Sequence, residues 1–272
     1  QLPHDVPANE YLLLDSAQFS KSRRHAVWIP DYMKRYDPEA LRYYLAAVMP
    51  EQKDTSFTWE DYVTRVNTEL IGNLGNLFHR VISFAQKNFP DGLHADECNL
   101  PELRDRVAEA HAKMDTALAA CKFKRGLAAM LQLSQATNAA LNEVAPWKLL
   151  KQDRSACETQ LVGFLNICRS LSIMMSPYMP RTGETAWQYL GLSGTPQEAG
   201  WEAVLDGEND FTLQRPEPLF AKLDLQKVLE KEMPPNELHE LKPEISFDDF
   251  KKLDIRVGTV TDVEKHPDAD KL

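Results

Sequence analysis

The stretch TWEDYVTRVNTELIGNLGNLFHRVISF, residues 58–84, sets the fold class. Thr58 with Asp61 three residues later reads as a capping pattern, in which the hydroxyl takes a free backbone N–H of the first helical turn. Tyr62, Val66, Leu70, Leu74, Leu77, Val81 and Phe84 then advance by threes and fours, which predicts a long amphipathic helix. A polar stripe lies beside the apolar one: Glu69, Asn73, Asn76 and Arg80. Asparagine competes with the helical backbone and is a poor mid-helix residue unless its amide has a partner. The stripe therefore meets either a neighbouring helix or a ligand, and the residues alone leave both open.

The same apolar spacing recurs on both sides. Upstream, Asp37 and Pro38 start a helix over Glu39 to Met49, with Leu41, Tyr44, Leu45 and Val48 inward and Pro50 as the stop. Downstream, Pro90-Asp91-Gly92 breaks the chain before a helix from Pro101 (Leu103, Val107, Met114, Leu118) and another from about Phe123 (Leu127, Leu131, Leu141). After Ala145-Pro146-Trp147-Lys148, a helix from about Ser155 to Met175 carries Leu161, Leu165, Cys168 and Leu171; Pro177 ends it, and a shorter helix from Thr182 closes at Gly191. The fold class is mainly α, an antiparallel helical bundle with a short irregular α/β segment at the N-terminus. In that segment Tyr11–Leu14 and Ala26–Ile29 read as short extended pieces flanking a basic loop. Residues 192–220 read as a loop packed on the bundle. Residues 223–242 read as a helix and then a linker around Pro234-Pro235, and Ile255–Val260 alternates like the first strand of a new β domain.

Composition narrows the function classes. The 272 residues are 43% hydrophobic, enough for a core, and no apolar run reaches a bilayer span or follows a basic start as a signal peptide does. A cytoplasmic protein with no membrane partner is expected. Cys98, Cys121, Cys157 and Cys168 are scattered without CxxC pairing, so no metal site is assigned and buried thiols are expected. With 31 basic against 41 acidic side chains, the net charge of -10 excludes bulk coating of nucleic acid, so any RNA contact must be local and shaped. The abrupt ends at Gln1-Leu2-Pro3 and Asp268–Leu272 are expected to be those of a piece of something longer.

Three constellations carry chemistry. Phe19-Ser20-Lys21-Ser22-Arg23 puts an ammonium between two hydroxyls, donors able to follow a polyphosphate and neutralise its developing charge. Asn76 and Arg80, one helical turn apart, present an amide edge and a planar guanidinium to one side. Trp147 directly after Pro146 offers a rigid aromatic face for an unpaired base, although most tryptophans serve as core.

These motifs together resemble methionyl-tRNA synthetases of class I. Phe19-Ser20-Lys21-Ser22 is similar to the KMSKS signature, with Gln18 in place of its first lysine, and His25-Ala26-Val27-Trp28-Ile29 to its flank. Asp37–Leu45 and Asp54-Thr55-Ser56-Phe57 are similar to the stretches that follow in that family. Asn73-Leu74-Gly75-Asn76-Leu77-Phe78-His79-Arg80 is similar to its first anticodon-domain helix, and Pro146-Trp147 to its anticodon-binding pair; Asn142 stands where the family often has an acidic residue. Ile245–Phe250, Asp254–Gly258 and His266–Leu272 are similar to the start of an appended OB-fold tRNA-binding domain.

The resemblance implies four regions: 1–50, the end of a catalytic core; 51–222, a helical anticodon-binding domain; 223–244, a linker; and 245–272, an OB-fold start too short to close a barrel. It implies catalytic roles for Lys21, Ser20 and Ser22, with Lys21 on the ATP phosphates, and RNA contacts by Asn73, Asn76, Arg80, Pro146 and Trp147. The partners implied are the methionine tRNA with its CAU anticodon, plus methionine, ATP and Mg²⁺ in a parent ligase whose catalytic half would carry any zinc. The piece alone is expected to bind no cofactor and to catalyse nothing, and a homodimer would need the full OB domain. Two alternatives are a non-catalytic tRNA-binding or assembly module and a class I synthetase for another aliphatic amino acid.

Overall fold

The computed structural model describes residues 3, 5–96, 101–232 and 251. The chain divides into two units, Gln1–Glu232 and Met233–Leu272, and the architecture below is that of the first. Apart from Lys251, the expected OB-fold start lies outside the described residues, as do residues 233–244 of the linker and Cys98.

Strand β1 (Leu12–Leu14) pairs in parallel with β2 (Thr55–Phe57), Leu14 lying opposite Phe57. The intervening chain holds a basic hairpin, helix α1 (Ile29–Arg35) and helix α2 (Pro38–Ala47). Extended chain was the expectation for Ala26–Ile29, yet Ile29 opens α1. Pro30 is preset for a first turn, and Asp31 at one end with Lys34 and Arg35 at the other complements the helix dipole. As expected, Asp37 caps α2, accepting the Glu39 N–H at 3.0 Å.

Residues 59–88 are helical throughout but do not form one α-helix. Helix α3 (Trp59–Arg65), capped by the Thr58 hydroxyl at 3.1 Å from the Asp61 nitrogen, widens into a π-helical segment over Val66–Gly75 and narrows again into α4 (Asn76–Asn88). On an α-helix each four-residue step overshoots a full turn by about 40°, so Tyr62, Val66, Leu70 and Leu74 would spiral away from the core. Wider turns cancel that drift, and all four side chains are buried.

Helices α5 (Pro101–Ala119) and α6 (Phe123–Val144) form a hairpin, followed by the short α7 (Pro146–Leu149). Helix α8 (Arg154–Met175) is the centre of the bundle, buried at every position from Leu161 to Met175 except Asn166. Cys157 and Cys168 lie in this core, where burial pushes both thiols up. Helices α9 (Pro180–Tyr189) and α10 (Pro196–Ala199) complete the bundle, and a short antiparallel pair, β3 (Leu93–His94) with β4 (Asp210–Phe211), closes one side.

A strap of irregular chain then runs along the π-helical segment. Asn67 acts as a substitute strand partner for it: its Nδ2 donates to the Leu223 carbonyl (2.8 Å) and its Oδ1 accepts the Leu223 N–H (3.0 Å). Gly75 leaves room for Phe220, whose ring would stand 3.3 Å from an added Cβ. Helix α11 (Leu225–Glu232) ends the strap, with Val228 buried and Glu232 paired to Arg35 at 2.9 Å.

Two side chains of α2 fasten the N-terminal segment to the bundle. Glu39, only 4% exposed, accepts the Thr182 N–H (3.0 Å) in the first turn of α9, where a carboxylate meets the positive end of the helix dipole. Arg42 donates from Nε to the Tyr178 carbonyl (2.8 Å) and from Nη2 to that of Pro177 (3.2 Å). Glu39→Ala is expected to cost about 1–2 kcal/mol, as loss of a helix cap does. The check is the urea midpoint at constant m-value; an unchanged midpoint would mean that water caps α9 equally well.

Candidate nucleic-acid interface

Lys21 sits on the turn of a tight hairpin. Ser20 and His25 exchange both backbone hydrogen bonds at 2.9 Å, and the Arg24 N–H closes the turn on the Lys21 carbonyl at 3.1 Å. Arg24 takes the left-handed conformation (φ 54°) that such a reversal requires. The Ser20 hydroxyl accepts the Arg23 N–H (3.3 Å) and lies 3.3 Å from that of Ser22. His25 Nε2 lies 2.8 Å from the Leu14 carbonyl; a carbonyl only accepts, so this nitrogen carries the proton. That bond ties the hairpin to β1. Lys21 is exposed and has no ion-pair partner among the described residues. Ser20, Lys21 and Ser22 are thus brought together, an ammonium beside two hydroxyls on a tethered loop.

The second cluster forms where α4, α6 and α7 meet. Ala145, with φ 46° and ψ 64°, is left-handed although it is not glycine, and it turns the chain sharply from α6 into α7. Pro146 follows at the first helical position and is buried, its carbonyl 3.5 Å from the Cys157 sulfur. Trp147 comes next, 40% exposed, an unusual degree for the largest side chain. Arg80 reaches it from α4, its guanidinium carbon 5.6 Å from the indole centroid. Asn142 holds the arginine there, accepting from Arg80 Nη2 at 2.7 Å. Asn76 opens α4 one turn before Arg80 and is exposed.

Beside this cluster is a cleft of 330 Å³ with an apolar floor that includes Phe84, Leu141 and Leu161. Arg80 and Lys87 line it, and Lys148, Lys151 and Arg154 follow Trp147 in the chain. Arg154 lies over the Phe89 ring at 4.2 Å and donates to the Asn88 carbonyl at 2.7 Å. The net-acidic chain thus carries a run of cations along α4, α7 and the start of α8, the local arrangement that RNA contact would require.

Asn73 bonds within the bundle. Its Nδ2 donates to the Leu131 carbonyl (3.0 Å), and its Oδ1 accepts from the Ser134 hydroxyl (3.0 Å) and from Asn138 Nδ2 (3.2 Å). The amide is thus turned toward α6, from a position in the last turn of the π-helical segment. The Asn142 anchor is underweighted by a reading along the chain. Its trace is the polar step Asn138 to Asn142 on α6, one turn before Pro146.

Comparison with known proteins bears on this geometry. Residues 1–82 match the family model described as tRNA synthetases class I (M), and residues 90–232 match that of the anticodon binding domain of methionyl tRNA ligase. The chain belongs to the methionyl-tRNA synthetase family. Among curated members of that family, the methionine–tRNA ligase of Methanopyrus kandleri is 34% identical over 278 residues, covering 100% of this chain and 41% of the relative. That of Salinibacter ruber is 34% identical over 313 residues, with 43% of the relative covered. The chain therefore spans about two-fifths of the relatives it matches. In fold it is similar to the crystal structure of Mycobacterium tuberculosis methionyl-tRNA synthetase bound by methionyl-adenylate, with a TM-score of 0.69 at 22% identity over 77% of this chain and 43% of that one. Neither a synthetase for another aliphatic amino acid nor a diverged assembly module is favoured by these matches. No helix among the described residues is long and apolar enough to cross a membrane.

Proposed function

We propose that α4, α6 and α7 bind the CAU anticodon of a methionine tRNA, and that the hairpin around Lys21 serves methionine activation in a full-length methionine–tRNA ligase. The observation that carries the first part is the half-exposed Trp147 with Arg80 pinned beside it by Asn142. An unpaired base stacks on the indole, while the Arg80 fork and the Asn76 amide meet base edges or phosphate. Pro146 sets the ring's direction. Asn73 positions the helix instead of touching RNA, since its amide is already occupied.

For the hairpin, the residues present fit a nucleoside triphosphate: two hydroxyls and an ammonium with no ion-pair partner among the described residues sit on one tethered turn. ATP supplies the activated phosphate, and Mg²⁺ would arrive on its oxygens, as it commonly does with substrate phosphates. Lys21 then holds charge that grows as pyrophosphate leaves, with Ser20 and Ser22 as neutral donors. Such a protein works in the cytoplasm, where its tRNA is used. Zinc and dimer formation belong, on this reading, to parts of the ligase beyond the described residues.

Binding of this chain to methionine-tRNA transcripts, with the CAU anticodon intact or changed at one base, tests the anticodon assignment. A base read by a good bidentate contact is expected to contribute about 1–3 kcal/mol of discrimination. Equal affinity for all anticodons at matched salt would sink it.

A further inference from the structure

In the proposed anticodon assignment, Asn76 and Arg80 form one row of contacts on α4, and a second row beside them is unused. His79, Ser83 and Lys87 follow at four-residue spacing and line the same cleft as Pro146 and Trp147. None of the three side chains has a hydrogen bond or ion pair among the described residues, and His79 and Lys87 are exposed. The row ends in a single ammonium at the mouth of an apolar cleft, in a chain whose net charge is -10. An ammonium is a compact point charge suited to a phosphate, whereas base edges suit the planar arginine and asparagine groups of the first row. Asn76 and Lys87 are eleven residues apart, about 16 Å of helix, so base contact and backbone contact can occur together. A cleft of 330 Å³ is near the small end of ligand sites, fitting one base better than a stacked pair.

We propose that Lys87, with Ser83 one turn before it, holds the phosphate of an unpaired nucleotide whose base lies in the cleft against Trp147, and that His79, about 12 Å from Lys87 along the helix, faces the neighbouring backbone. This rests on the anticodon assignment and divides the interface into a row that reads bases and a row that grips the backbone. Each single-strand phosphate neutralised contributes about 0.7 to the slope of log affinity against log salt. Lys87→Met in the 272-residue chain is therefore expected to flatten that slope by about 0.7 and to lower affinity about fivefold at 0.1 M salt. The loss should be equal for tRNA with the CAU anticodon and with a changed one, and Lys87→Arg should keep the wild-type slope. An unchanged slope in Lys87→Met overturns the phosphate role, as does a loss confined to the CAU transcript, which would make Lys87 a base reader. The two readings fail separately: a wild-type chain without CAU preference removes the anticodon assignment, whereas normal preference with an unaltered Lys87→Met slope removes only the backbone row.

Discussion

Lys21→Ala will slow adenylate formation about 10²–10³-fold in a full-length ligase that contains this chain, the loss typical when one preorganised charge-stabilising donor is removed. The expectation follows from two features of the hairpin. Lys21 has no carboxylate partner among the described residues. The loop that bears it is held at both ends, by the paired backbone bonds of Ser20 with His25 and by the His25 bond to the Leu14 carbonyl. A donor held in place before reaction stabilises developing charge without reorganisation cost at the moment of transfer. The check is pyrophosphate exchange alongside tRNA binding. Exchange should fall with tRNA affinity unchanged, because the α4–α6–α7 cluster is built from other residues. Equal exchange rates in variant and wild type would remove Lys21 from the chemistry.

Trp147→Ala will weaken binding of a methionine tRNA by about 1–3 kcal/mol, the range for loss of one stacked base. Its helix content should not change, since the ring is 40% exposed and lies outside the buried core. Trp147→Phe should recover most of the affinity, because a smaller ring still offers a face. Arg80 and Trp147 should also be coupled: the guanidinium lies 5.6 Å from the indole centroid, so the Arg80→Ala and Trp147→Ala losses should fail to add in a double-mutant cycle. Unchanged affinity of Trp147→Ala with an intact circular-dichroism spectrum would return the tryptophan to a packing role.

Much of the bundle is legible along the chain because its signals are local. The Asp37 and Thr58 caps, the stops at Pro50 and Pro177, and the apolar spacing through α8 each depend on residues within one or two turns of one another. Helix α1 is less legible although its signal is also local: Trp28 and Ile29 resemble strand residues, and the deciding feature is the single Pro30 in the first turn. The run 58–84 was legible as helix but not as a helix of changing pitch, since four-residue spacing fits either winding until the core holds one face.

The candidate interface divides along the same line. Residue type and spacing suffice to single out Lys21, Asn76, Arg80, Pro146 and Trp147, because an ammonium, an amide, a guanidinium and an indole keep their chemistry in any fold. Direction is different, being a property of neighbours that lie far away in the chain. Asn73 and Asn76 look alike in a helical stripe, yet Leu131, Ser134 and Asn138 draw the first inward and leave the second exposed. Asn142, 62 positions from Arg80, holds the arginine beside the indole. One-dimensional order names the groups that can act; which of them are free to act depends on the packing of the π-helical segment and α4 against α6, where a hydrogen bond already made inside the protein is one no longer offered to RNA.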